Sequence, residues 1–167
     1  MRIECKIHFK DYLKLQYVIT YRNFWVLFIT AMGLLMLVCA ALEITGQLPV
    51  PDNGNLYIQI FFGIYVLLLP ALVYWKSKKN FKSNKLIQED IIYELSPDKF
   101  AVSTPYSNSE IPWEKIYKIK ELKDWFLIYH SNKIAHLIPK KCMTAAEIAE
   151  AKYLFKQLRG PKLALKS

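Results

Sequence analysis

Two long runs without charge constrain this chain more than anything else in it. Phe24–Leu42 supplies 19 consecutive uncharged residues and Leu56–Trp75 supplies 20. At a helical rise of about 1.5 Å per residue, each run covers roughly 30 Å, the thickness of a bilayer's hydrocarbon core. A soluble core helix shows a polar face every few residues, and neither run has one. Thr30 and Gln59 are the distinctly polar side chains near the middle, and a helix can satisfy both locally. Aromatic residues gather at the ends as interfacial belts do, with Tyr21, Phe24 and Trp25 opening the first run and Tyr74 and Trp75 closing the second. Pro70 predicts a kink, which lipid tolerates where neighbours satisfy the freed carbonyl. The pattern predicts a transmembrane hairpin over 24–75, with spans 24–42 and 56–75 and an outside loop 43–55. A signal peptide is the rival reading of the first run. Its apolar region is too long and its leading segment of 23 residues too extended. Cys39 is no lipoprotein site, because Val38 stands where a small residue is needed, and it reads as a small buried residue.

Charge sets the orientation. The 167 residues carry 23 Lys+Arg against 14 Asp+Glu, a net charge of +9. Segment 1–23 contributes +3, segment 76–88 contributes +5 with no acid, and loop 43–55 carries only Glu43 and Asp52. Positive flanks stay inside, so both termini are expected in the cytoplasm of a multi-pass cell-membrane protein. The residues from Glu89 onward hold 13 bases and 10 acids, only +3. The surplus is therefore mostly a topology signal, and nucleic acid is not an expected partner.

Beyond a basic juxtamembrane linker at 76–88, the pattern changes to short strand-sized segments in a domain at 89–160, with a tail at 161–167. Ile91–Leu95 and Phe100–Thr104 flank the turn Ser96-Pro97-Asp98-Lys99. Tyr106–Ser109 reads as a polar turn and Glu110–Trp113 as a short strand. Pro112 cannot donate to a ladder, which marks an edge or a bulge. Ile116–Leu122, Trp125–His130 and Ile134–Pro139 complete the set. A two-residue loop at Asn132-Lys133 would set Tyr129 opposite His136 and send His130 and His136 to opposite faces. Both faces of that hairpin are largely apolar, so it is expected to be covered on two sides. Thr144-Ala145-Ala146-Glu147 is a capping box, and Ile148, Ala151, Phe155 and Leu158 recur at helical spacing until Gly160-Pro161. The expected class is a membrane α-helical hairpin plus an α+β domain, a small antiparallel sheet or barrel capped by one C-terminal helix. In segment 1–23, expected to hold a strand and a lead-in helix, Ile3, Cys5, Ile7 and Phe9 alternate with Glu4, Lys6 and His8. The same side of the membrane holds both, so this strand is expected to join the sheet.

From Ile91 to Leu158 the chain resembles the YcxB-like family. The resemblance is carried by Ile111-Pro112-Trp113 with Ile116, by the hairpin Trp125-Phe126-Leu127-Ile128-Tyr129, by Ile138-Pro139-Lys140-Lys141, and by the helix around Ala146–Leu158. It implies two N-terminal transmembrane helices ahead of a domain of pleckstrin-homology-like shape, in a bacterial plasma membrane. Ile111, Pro112, Trp113, Trp125 and Pro139 are structural positions in this pattern, and the resemblance implies no reaction and no ligand.

Chemistry is sparse. No glycine lies between Gly63 and Gly160, so neither a P-loop nor a dinucleotide fingerprint can be built in the domain. Three histidines and three cysteines have no zinc-site spacing. Cys5 and Cys142 are expected as reduced thiols on the cytoplasmic side. The carboxylate pairs Glu89-Asp90 and Glu110/Glu114 read as solvated surface, and Trp113 reads as a core anchor. No enzyme and no cofactor is expected. Arg22, Lys76, Lys78, Lys79, Lys82 and Lys85 are expected at the membrane surface, each worth about 1 kcal/mol near an anionic leaflet. A specific headgroup site would need more basic residues to converge there, such as Lys140-Lys141. The expected role is binding of a protein or lipid partner at the membrane. The alternative is an accessory subunit of a transporter or an envelope stress or signalling complex, acting through its spans.

Overall fold

Residues 1–47, 56–132 and 134–165 are described by the computed structural model. They group into two units, one joining Met1–Ile7 to the chain from Lys85 onward, the other formed by His8–Asn84.

The His8–Asn84 unit contains three helices, α1 (Phe9–Tyr21), α2 (Phe24–Ile44) and α3 (Leu56–Ser83). Asn23 caps α2 by accepting a hydrogen bond from the Trp25 N–H. Helices α2 and α3 have 21 and 28 residues with mean hydropathies of 2.5 and 2.2, long and apolar enough to cross a membrane. Large apolar side chains, among them Phe24, Trp25, Phe61 and Leu67, are exposed on their outer faces. The two helices run antiparallel: Gly33 lies against Val66, and Leu37 against Gly63. Thr30 donates to the Val26 carbonyl at 2.7 Å, the local solution its sequence position predicts. Gln59 instead reaches across, its amide donating to the Glu43 carboxylate at 2.9 Å. Helix α3 stays helical through Pro70, whose carbonyl accepts from the Tyr17 hydroxyl at 2.9 Å. Phe9 and Tyr12 of α1 set their rings 5.8 Å from Tyr74 and 5.5 Å from Phe81, respectively.

The other unit is built from two sheets and a helix. Strands β1 (Arg2–Lys6), β2 (Asp90–Leu95), β3 (Lys99–Thr104) and β4 (Ser107–Pro112) form an antiparallel sheet in that order. Strands β5 (Lys118–Glu121), β6 (Trp125–Tyr129), β7 (Ala135–Pro139) and β8 (Lys162–Ala164) form a second, ordered β7-β6-β5-β8. Helix α4 (Ala145–Gln157) starts at a complete capping box between Thr144 and Glu147. Its Ala151 and Phe155 enter one apolar core with Ile3, Tyr93, Phe100 and Ile128 from both sheets. The Tyr93 hydroxyl also donates to the Leu137 carbonyl at 3.0 Å, tying β2 to β7.

The N-terminal alternation does what its period predicts. Strand β1 pairs with β2, setting Ile3 opposite Tyr93 and Cys5 opposite Ile91. Ile3 and Cys5 are buried while Arg2, Glu4 and Lys6 are exposed. Pro112 ends β4, which is the edge of its sheet, and β6 is buried on both faces.

Four expectations need correction. Strand β4 begins at Ser107, so the turn before it is shorter than 106–109. The β6–β7 register sets Tyr129 opposite Ala135 and Ile128 opposite His136, one residue away from the expected pairing. The His130 N–H donates to the Ile134 carbonyl and the Ser131 hydroxyl accepts from the Ile134 N–H, while Lys133 of the expected two-residue loop lies outside the described residues. A one-residue slip exchanges faces along a strand, and His130 and His136 share one face. The tail contains β8, because Gly160, at φ +125°, redirects the chain after α4 and the Lys162 N–H donates to the Tyr117 carbonyl. Finally, Cys5 and Cys142 form a disulfide, with Cα atoms 5.7 Å apart. Pairing of β1 with β2 turns the Cys5 side chain inward, and the 3-10 turn Lys140–Cys142 after β7 meets it there.

Candidate functional site

The basic residues assigned to a membrane surface do not form one cluster. Lys76, Lys78, Lys79 and Lys82 ride on the last turns of α3 rather than on a separate linker, and all four are exposed. Lys78 and Lys82 are four apart and Lys79 and Lys82 three apart, so these three share a face away from the buried Ser77. Lys78 also sits 5.7 Å from the centre of the Tyr74 ring. Arg22 follows α1 as its C-cap, and Lys85 opens the 3-10 turn Lys85–Gln88 in the other unit.

The motif residues are structural. Trp113 is 3% exposed, donates its indole N–H to the Ser96 carbonyl at 2.8 Å, and packs edge-on against Phe155. Trp125 and Pro139 are cross-strand partners, both buried, and Ile111 opposite Phe100 packs on the core. This group closes a core and leaves no reactive atom in a cavity.

Lys140, a candidate for the headgroup site, is committed elsewhere. Its ammonium lies 2.5 Å from the Glu121 carboxylate and 4.6 Å from the centre of the Phe126 ring. Lys152 from α4 reaches the same carboxylate oxygen at 3.3 Å. The Glu121 side chain is only 3% exposed, so this ion triad is the most deeply placed charge in the domain's sheet. Sequence reasoning missed it, although a signal existed: Glu121 is two residues from Ile119, so both point to the same face of β5.

His130 and His136 form a titratable pair. Their ring centres are 5.2 Å apart, and Phe100 packs edge-on against His136 at 5.2 Å. Burial, reinforced by the charge on His130, pushes His136 down to about 4. Among the described residues no group of three or more His, Cys, Asp or Glu side chains is placed to hold a metal ion.

What remains as a contact surface is an edge. Strand β4 is the last strand of its sheet, with Ser107–Glu110 exposed. Its Glu110 pairs with Lys99 at 2.7 Å, and Ser103 of β3 is hydrogen-bonded to Asn108. An open strand edge offers backbone donors and acceptors to another chain.

No curated protein and no solved structure matches this chain. Residues 95–155, which run from the end of β2 into the last turn of α4, match the model of the family described as YcxB-like protein, and this stretch is a YcxB-like domain.

Proposed function

We propose that this is a bacterial plasma-membrane protein with both termini in the cytoplasm, whose domain binds a protein or lipid partner at the membrane without catalysing a reaction. The observation that carries this reading is an insertion. The helical unit lies in sequence between β1 and β2, which are hydrogen-bonded neighbours in one sheet. The domain is thereby anchored through two chain connections, at Ile7–His8 and at Asn84–Lys85. Such a double tether suits a recognition module that works at a surface. Two antiparallel meanders, the second extended by the parallel strand β8, with one core-filling helix support a pleckstrin-homology-like shape for the domain.

The positive flanks support cytoplasmic termini, whereas a disulfide is more usual in oxidising compartments. We give the charges more weight, because they act while the chain inserts, before Cys5 and Cys142 can meet. Fusing alkaline phosphatase and a fluorescent protein in turn to the C-terminus checks the side directly. Phosphatase activity there would overturn the orientation.

A photo-crosslinking residue at Asn108, on the open edge of β4, tests the binding role in native membranes. Discrete adducts from Asn108 support it. Protein adducts from Leu35 on the exposed face of α2, with none from Asn108, favour the accessory-subunit reading, in which the spans make the contacts.

A further inference from the structure

We infer that the outer face of the second sheet carries a binding site for a small phosphate-bearing anion, formed by Lys118 and Lys120 of β5, Lys162 of β8, Tyr117, Tyr129 of β6 and Asn132. This goes beyond partner binding at the β4 edge and concerns a different surface. These six residues line an open depression of about 340 Å³, near the small end of the range of about 300–1,000 Å³ typical of ligand sites.

The sheet register builds the site. Lys118 is the cross-strand partner of Tyr129 on one side and of Lys162 on the other. One row across β6, β5 and β8 therefore presents a phenol and two ammonium groups on one face. Lys120, two residues from Lys118, projects from that same face. Lys162 leans over the Tyr117 ring, 5.5 Å from its centre. Strand β8 exists for only three residues, and its first residue supplies the third cation.

The electrostatics point to an external anion. Like charges set directly across a sheet repel, yet none of the residues lining the depression is acidic. Among the described residues neither Lys118 nor Lys162 makes an ion pair, whereas Lys6, Lys99, Lys140 and Lys152 all do. Burial pushes the Tyr129 phenol up, which keeps its hydroxyl a donor. Ammonium, phenol and amide donors facing one hollow suit the several acceptor oxygens of a phosphate or pyrophosphate group. A soluble phosphate ester and a phosphorylated lipid headgroup both supply that chemistry.

The full chain in phosphatidylcholine nanodiscs tests this, with the rate of lysine acylation read site by site by mass spectrometry. Pyrophosphate in solution is the first probe. Discs doped with phosphatidic acid are the second, and discs with equal charge from phosphatidylserine are their control. Acylation of Lys118 and Lys162 is expected to slow about tenfold with a saturating probe while Lys156 on α4 is unchanged. Each lysine changed to Gln is expected to weaken pyrophosphate binding by about tenfold, the worth of one charge-assisted contact. Protection by pyrophosphate alone assigns a soluble ligand, and protection by phosphatidic acid assigns a headgroup. If Lys118→Gln melts lower than the parent, Lys162→Gln on the exposed last strand carries the comparison. Absence of protection by both probes, protection matched by phosphatidylserine, or undiminished binding in the Lys→Gln variants overturns the proposal.

Discussion

Cys5 and Cys142 stand 137 positions apart in sequence and are joined by a disulfide that staples β1 to the turn after β7. Because the helical unit lies in the loop that this bond closes, the staple fixes the N-terminal strand to the domain independently of sheet hydrogen bonds. The chain has three cysteines, and Cys39 is the free one. Protein denatured without reductant is expected to take one maleimide mass tag, and three after reduction. Cys5→Ser is expected to lower stability by about 2–4 kcal/mol under oxidising conditions and to leave it nearly unchanged in reductant. Three tags without reductant would sink the staple.

The Glu121 triad makes a second prediction. A buried carboxylate satisfied by two ammonium groups leaves both uncompensated when it is removed. Glu121→Ala is therefore expected to destabilise the domain by about 3 kcal/mol. Lys152, the more exposed partner at 28%, is expected to matter less when changed to Met. Combining Glu121→Leu with Lys140→Met is expected to recover much of the loss, since the one ammonium left without the carboxylate, Lys152, is the more exposed of the two. Denaturant midpoints of the full chain in micelles measure all three, and a neutral Glu121→Ala contradicts the assignment.

Much of this fold is legible because its signals are local. The two uncharged runs, the alternation Ile3-Cys5-Ile7 and the Thr144–Glu147 capping box each state their element within a few residues, and each is present. The failures share a different cause. The β6–β7 register turns on whether Ser131 caps the Ile134 N–H, one hydrogen bond that hydrophobic pattern does not encode. The disulfide depends on a contact across 137 positions, and β8 depends on where Gly160 aims the chain. The proposed anion site inherits both problems, since its lysines come together only through the pairing of β5 with β8. Along the sequence, Lys118 and Lys162 read as two ordinary surface lysines.

His136 gives a pH dependence with a definite sign. Its folded-state value of about 4, held down by burial and then by His130, lies below the ordinary imidazole value of 6.5. The unfolded chain therefore binds more protons over that interval. The contribution is fully present above 6.5 and is lost as pH falls toward about 4, by at most about 3 kcal/mol. His136→Phe keeps a ring against Phe100 and removes the titration. The difference between the stability curves of parent and variant is expected to be flat above 6.5 and to favour the variant progressively below it. A difference that stays flat down to about 4 would refute the assignment.

Gly33 and Gly63 set how closely α2 and α3 approach. A Cβ added at Gly33 would come 2.9 Å from the Val66 Cβ, and one added at Gly63 would run into the Leu37 side chain. Val66 is buried and branched at Cβ, so it has little freedom to retreat. Between apolar helices in an apolar surrounding, such van der Waals fit contributes much of the association. Overpacking a fitted contact costs about 1–3 kcal/mol, so Gly33→Leu and Gly63→Leu are each expected to lower the midpoint of SDS-induced unfolding in micelles. Gly46 makes the control, since a Cβ there meets nothing within 4 Å while its φ of +72° still favours glycine. Gly46→Leu is therefore expected to report backbone cost alone. Gly33 and Gly63 lie inside helices and carry no such φ, so unchanged midpoints in Gly33→Leu and Gly63→Leu would mean that close packing of α2 on α3 contributes nothing.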